Sequence, residues 1–318
     1  MPEQCNHIGV SCDRGYEDYV CNLVKTSVKF YKGSKPLYFE LFTNDFSFPF
    51  NKFLSLNTGG HKLGVTYLDK AFHDKWNVPF DFSQQYLISN EQIAALQRLN
   101  VDIRDEKTLK TSRFLGNITS PYDKYLIFDA DMLVAGDLNE IFEFDLKDNY
   151  IASCKTHFYS SNYQTEQAFY NNLDNGLVAN ELLIPFSLFN VNAVRNDRLL
   201  YTLLDEVKVR LKDDLKPLFN GHSNYIGSAP FYGSIFCELA GDRIDYLDNS
   251  WSFDTDLLRK QRVDDGDTID FFKTNPPKLY HFNGRQIDQV GDNELLTASN
   301  NYIKNDYYNL VLNSLLND

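Results

Sequence analysis

Apolar positions in this chain fall in short blocks whose spacing switches between that of a strand and that of a helix. Ile8 to Cys12 is a compact apolar run. After the polar Asp13-Arg14-Gly15, residues Tyr16, Tyr19, Val20, Leu23, Ser27 and Phe30 to Tyr31 recur at helical spacing. Pro36 to Thr43 reads as a second strand, so the chain opens with a strand, a helix and a strand, the unit that builds parallel sheets. Ligands of open parallel sheets bind beyond the carboxyl ends of the strands, which marks the turn from Cys12 to Tyr16 on topology alone. From Asn44 to Ser89 the pattern is irregular and aromatic, and no element is predicted there.

Glu91 to Leu99 and Lys107 to Phe114 read as short helices. Lys124 to Phe128 reads as a buried strand that stops at Asp129-Ala130-Asp131, and Leu133 to Glu140 leads through a glycine turn into a helix start. Further strands are predicted at Tyr150 to Lys155, Ser187 to Asn192, Arg243 to Leu247 and Lys278 to Phe282, with a helix from about Val194 to Leu211. From Asn305 to Asp318, the residues Tyr307, Tyr308, Val311, Leu312, Leu315 and Leu316 form one apolar helical stripe. Without basic flanks, such a helix suits the domain or a second copy of the chain better than a membrane. No linker or internal repeat interrupts the pattern. The expectation is one α/β domain over residues 1–290 and a helical C-terminal extension over 291–318.

Composition narrows the partners. Lys plus Arg number 31 against 44 Asp plus Glu, and the net charge of −13 repels a phosphate backbone, which excludes nucleic acid as the natural ligand. The five cysteines are scattered and form no C-x-x-C pair, arguing against a zinc ribbon or a disulfide framework and for a reducing compartment. The N-terminus carries no basic segment followed by an apolar one, and no window approaches 18 apolar residues, so a soluble cytoplasmic protein is expected. The sequon Asn117-Ile118-Thr119 carries little weight without a secretion signal.

The most informative point is the stop at Asp129 and Asp131. Two acids two positions apart at the end of an apolar strand project to the same side and can share a divalent cation. Without a cation, burial would set two like charges against each other. The plainer reading of any such pair is a solvated turn.

The segment from Tyr122 to Val134, continuing to Phe142, resembles the D-x-D region of the family 8 glycosyltransferases, the group that contains glycogenin and bacterial lipopolysaccharide galactosyl- and glucosyltransferases. The resemblance implies a GT-A fold with a central, mostly parallel sheet. It also implies transfer of a hexose from a UDP-sugar to a sugar or glycan acceptor, with Mn²⁺, or Mg²⁺ in its place, and with retention of configuration. Cys12-Asp13-Arg14-Gly15-Tyr16 is similar to the family's opening turn, whose backbone and tyrosine hold the uridine; Asp13 and Tyr16 match best. Arg113 stands where the family carries a helical arginine that reaches the donor. Leu279-Tyr280-His281-Phe282-Asn283-Gly284 is similar to the strand ending in H-x-x-G, which implies His281 as third metal ligand beside Asp129 and Asp131, with Ala130 and Gly284 against the donor.

Later motifs depart from the family. Arg285-Gln286-Ile287-Asp288 follows where Lys-Pro-Trp is usual, leaving Arg285 as the substitute cation. The Asn-Ala-Gly strand falls within Ile184 to Asn192 without that tripeptide, another family acid falls near Lys155, and the acceptor-side Asp-Gln pair falls on His222-Ser223-Asn224. Ser223 and Asn224, with Asp131, are the implied catalytic positions. Trp251, in the loop Asn249 to Asp254, is either a sugar-stacking platform of the acceptor pocket or a core residue.

Two rivals remain at this stage. A haloacid dehalogenase type phosphatase would use Asp129 as nucleophile and Asp131 as acid/base, but that group places the motif on its first strand and follows it with a later acidic pair, for which Asp264-Asp265 is the poor counterpart here. A binding protein that kept the fold after losing acceptor residues is the other.

Overall fold

The computed structural model describes residues 4–43, 48–67, 114, 116–155, 182–200, 202–203, 236–251, 253–254, 275–282 and 298–317. The expected opening unit is present. Strand β1 (Asn6–Ser11) leads through a 3₁₀ turn at Arg14–Tyr16 into helix α1 (Glu17–Phe30) and back into β2 (Leu37–Thr43), parallel to β1. Asp13 starts this helical segment: its carboxylate accepts from the Gly15 N–H at 2.8 Å, and Glu17 and Asp18 complement the helix dipole.

Short helix α2 (Asn51–Leu54) and strand β3 (Lys62–Tyr67) follow, in the stretch for which the sequence predicted nothing. β3 escapes a pattern reading because it is a half-buried edge strand with a glycine inside it. A Cβ at Gly64 would strike Tyr38 on the neighbouring strand. After α3 (Gly116–Thr119), β4 (Lys124–Asp129) pairs parallel to β1, with Ser11 opposite Asp129. Then come β5 (Met132–Val134), α4 (Asn139–Phe142), β6 (Ile151–Lys155), β7 (Leu182–Asn190), α5 (Val191–Asn196), β8 (Ile244–Tyr246), β9 (Phe253–Asp254), β10 (Leu279–His281) and α6 (Ala298–Asn317).

Among the described residues these strands form a seven-stranded sheet in the order β3-β2-β1-β4-β7-β6-β8 and a small sheet in the order β5-β10-β9. The first four strands of the large sheet are parallel, and β7 runs antiparallel to both its neighbours. Alternate residues of β4 enter opposite cores: Leu126 and Phe128 join Val20, Leu23 and Val24 of α1, whereas Tyr125 and Ile127 join Val191 and Val194 of α5.

Where structure and sequence reading differ, the reasons are local. The helix expected from Val194 begins at Val191, because the Asn190 side chain accepts from the Ala193 N–H at 3.1 Å and caps it early. It breaks at Arg198, whose φ is 54°. The strand expected at Ser187 to Asn192 starts instead at Leu182, and the C-terminal helix starts at Ala298 instead of Asn305. The helix expected at 91–99 lies outside the described residues, as does that expected at 107–114 apart from Phe114.

Two features tie the parallel strands together. Buried Glu40 accepts from Thr66 Oγ1 at 2.6 Å and lies 2.9 Å from His7 Nε2, so one carboxylate links β1, β2 and β3 where no water reaches. Tyr125 lies across Gly9 and Gly116, both of which would drive a Cβ into its ring. Gly9→Ala should therefore lower stability by about 1–3 kcal/mol, read as a drop in the urea midpoint. An unchanged midpoint would mean that the tyrosine can move aside.

Candidate active site

β4 is buried from Tyr125 to Phe128 and releases the chain at Asp129, at the end of its pairing with β1. Asp129 is in partial contact with solvent, Ala130 is buried, and Asp131 is buried, its side chain 7% exposed. The chain then turns at once into β5, which pairs antiparallel with β10 so that Met132 faces His281. The Phe282 N–H closes this pairing by donating to the Asp131 carbonyl at 3.1 Å. A contact between residues 132 and 281 thus rests on a ladder of three residues per strand.

Its consequence is the cluster. His281 Nε2 lies 3.5 Å from Asp129 Oδ2 and 3.5 Å from Asp131 Oδ1. One ligand atom from each of the three residues lies within 4.8 Å of the others. Two carboxylate oxygens and an imidazole nitrogen suit a divalent cation of the manganese or magnesium kind, which also relieves the repulsion between the acids. The donor set fits such an ion.

Other expected residues sit beside it. The pairing of Ser11 with Asp129 brings the turn at Cys12, Asp13 and Tyr16 alongside the acids. Cys12 is buried and its N–H donates to Phe42 O at 3.1 Å, while Asp13 is exposed and Tyr16 half-buried at the mouth of the turn. Arg113, Ser223, Asn224, Gly284 and Arg285 lie outside the described residues. Trp251 resolves to its core role. Only 2% exposed, it stacks on Phe186 with centroids 5.5 Å apart and has the Lys278 ammonium 5.6 Å from its ring centre, so it offers no open face to a sugar.

The sequence reading missed what stands behind the cluster. Thr26 of α1 accepts from the Val134 N–H at 3.2 Å and fixes β5 to the helix that begins at the turn. Tyr16 lies 5.7 Å from Tyr19, Tyr19 lies 5.4 Å from Tyr308, and Tyr308 lies 4.8 Å from Phe282, centroid to centroid. Burial, reinforced by the charge of Asp131, pushes the Tyr308 phenol up to about 12, so it stays neutral beside the acids at ordinary pH. The apolar stripe of the C-terminal helix was the available signal, but nothing local says which surface it covers.

Comparison with known proteins follows the same lines. Residues 112–286, more than half of the chain, match the family described as Glycosyl transferase family 8. Among curated proteins, none matches at the sequence level. Among solved structures, the chain is similar to the bifunctional glycosyltransferase WbbM in its apo form (TM-score 0.59, 14% identity), covering 89% of this chain and 46% of that one. It is similar to the galactosyltransferase LgtC in complex with donor and acceptor sugar analogues (TM-score 0.54, 16% identity), covering 97% and 95%. It is also similar to the glycosyltransferase GlyE of Streptococcus pneumoniae TIGR4 (TM-score 0.54, 15% identity), covering 97% and 64%. The chain therefore spans about half the length of WbbM and about two thirds of GlyE, and nearly all of LgtC. At these identities the likeness establishes the fold, an α/β GT-A architecture.

A cation held by the three side chains would stabilise the folded state by mass action. Mn²⁺ at a hundredfold excess over its dissociation constant should add about 2.7 kcal/mol and raise the melting temperature. Asp131→Asn should abolish that rise, and an equal rise in the variant would place the cation elsewhere.

Proposed function

The chain belongs to glycosyl transferase family 8, and from that premise we propose that it moves a hexose from a UDP-sugar to a sugar or glycan acceptor with retention of configuration. The observation that carries this reading is the meeting of Asp129, Asp131 and His281 at the sheet end beside the first turn. These three would hold Mn²⁺, or Mg²⁺ in its place. Such an ion supplies positive charge to the departing diphosphate.

The remaining roles follow from chemistry and position. The turn at Cys12, Asp13 and Tyr16 would seat the nucleoside, with Ala130 beneath the donor. Arg113 and Arg285 would add guanidinium charge to the diphosphate, and Gly284 would let backbone approach it. Ser223 and Asn224 would orient the acceptor hydroxyl.

In a front-face reaction the bond from the anomeric carbon to the phosphate oxygen breaks while the bond to the acceptor oxygen forms on the same side. The released phosphate oxygen takes the acceptor's proton, so no strong protein base is demanded, which accommodates Ser223 and Asn224 where the family has Asp-Gln. A reducing, cytoplasmic setting would suit five buried cysteines scattered along the chain. Residues 1–290 form the transferase domain on this reading and 291–318 its extension.

The phosphatase alternative is not favoured: the D-x-D ends the fourth of the described strands in sequence, and an imidazole from β10 stands against it. UDP released from UDP-glucose, UDP-galactose and their N-acetyl forms, each with Mn²⁺ and an acceptor panel, tests the proposal. Asp131→Ala should cut the rate at least about a hundredfold while leaving the circular dichroism unchanged. UDP binding without turnover on any donor would leave a binding protein, and an inverted product would remove the front-face route.

A further inference from the structure

The small sheet cannot hold itself together. Three-residue strands lack independent stability and persist only when both faces are covered. Here the faces divide by parity. Met132, Val134 and Leu279 enter the core shared with α1, whereas Leu133 and Phe282 form a separate cluster with Tyr308 and Val311 of α6, flanked by Tyr19, Tyr280, Leu312 and Leu315. Leu133 is wholly buried and Phe282 only 2% exposed, so the cover is complete two positions beyond Asp131 and at the residue that follows His281.

We propose that α6 is a positioning element of the cation cluster, with Tyr308 as its wedge. The Tyr308 ring meets Phe282, the residue after His281, edge to face at 4.8 Å. On its other side it meets Tyr19 at 5.4 Å, which leads to Tyr16 of the first turn. Its hydroxyl also accepts from Asn22 Nδ2 at 3.2 Å, while the contacts to Phe282 and Tyr19 are made by the ring. One side chain, from a helix that supplies none of the three ligand groups, therefore braces the imidazole strand and the nucleoside turn at once. Removing the ring leaves a cavity behind Phe282, and the β5–β10 ladder that keeps His281 within 3.5 Å of both carboxylates loses its backing.

The inference rests on the cation-dependent reading above, and its test separates the two. Mn²⁺ is titrated into the full chain in the presence of UDP, with free Mn²⁺ followed by electron paramagnetic resonance at a temperature where circular dichroism reports every variant folded. Tyr308→Ala should weaken Mn²⁺ binding about tenfold, the scale found when support of a metal ligand is lost. Tyr308→Phe, which keeps the ring, should stay within about twofold of the unsubstituted protein on the same scale. Leu310→Ala, on the same helix at 65% exposure, should do likewise.

If Tyr308→Ala does not fold, Val311→Ala at the same contact should show a smaller loss in the same direction. Unchanged Mn²⁺ affinity in the folded Tyr308→Ala or Val311→Ala protein, even with a lowered melting temperature, assigns α6 a merely structural role and overturns the inference alone. Equal losses in Tyr308→Phe and Tyr308→Ala overturn it as well, because the ring would then not be the part that matters. No Mn²⁺ binding by the unsubstituted protein overturns the functional reading, and this inference with it.

Discussion

Everything at the sheet end depends on one short antiparallel pairing. Asp129 and Asp131 are local to each other and need only the strand that precedes them. The imidazole is not local. It arrives because Met132, one position beyond the acids, pairs with His281, and because the next N–H in the chain, that of Phe282, is satisfied by the Asp131 carbonyl. Three polar side chains converge through backbone hydrogen bonds of their neighbours, so the geometry belongs to the ladder more than to the ligands. Thr26 behind β5 and Tyr308 behind β10 extend this dependence to α1 and α6.

The fold and the candidate site were legible to different depths. A strand buried on both faces and ending in two acids announces itself, and β4 stands where the apolar run from Lys124 placed it, one residue longer. His281 was found only through the order and spacing of family motifs, since a histidine between apolar neighbours is ordinarily a core residue. β3 and β5 were missed because an edge strand broken by Gly64 and a strand of three residues lack enough alternation to register. Trp251 could be read from the sequence either as a platform or as core, and the choice needs the Phe186 ring stacked against its face, which no local pattern reveals.

The parallel half of the large sheet owes its rigidity to groups far from the chemistry. Glu40 joins three strands at their buried interior, and Tyr125 lies against two glycines, Gly9 and Gly116. On that base the carboxyl ends of β1 and β4 carry a turn exposed at Asp13, Arg14 and Gly15 and an acid pair of which Asp129 meets solvent. The division agrees with the general expectation that a rigid scaffold carries its reactive groups at its rim.

One feature bears on how the protein can be produced. Asn117 begins an Asn-Ile-Thr triplet, yet its side-chain amide belongs to a residue only 1% exposed, whose main-chain carbonyl accepts from Arg195 Nε at 2.8 Å. An oligosaccharide on that amide has no room in the finished fold. A eukaryotic secretory host that attached one during synthesis, before the chain closed, would trap those molecules in a misassembled form, so a glycosylated fraction would be waste material instead of a decorated version of the native state.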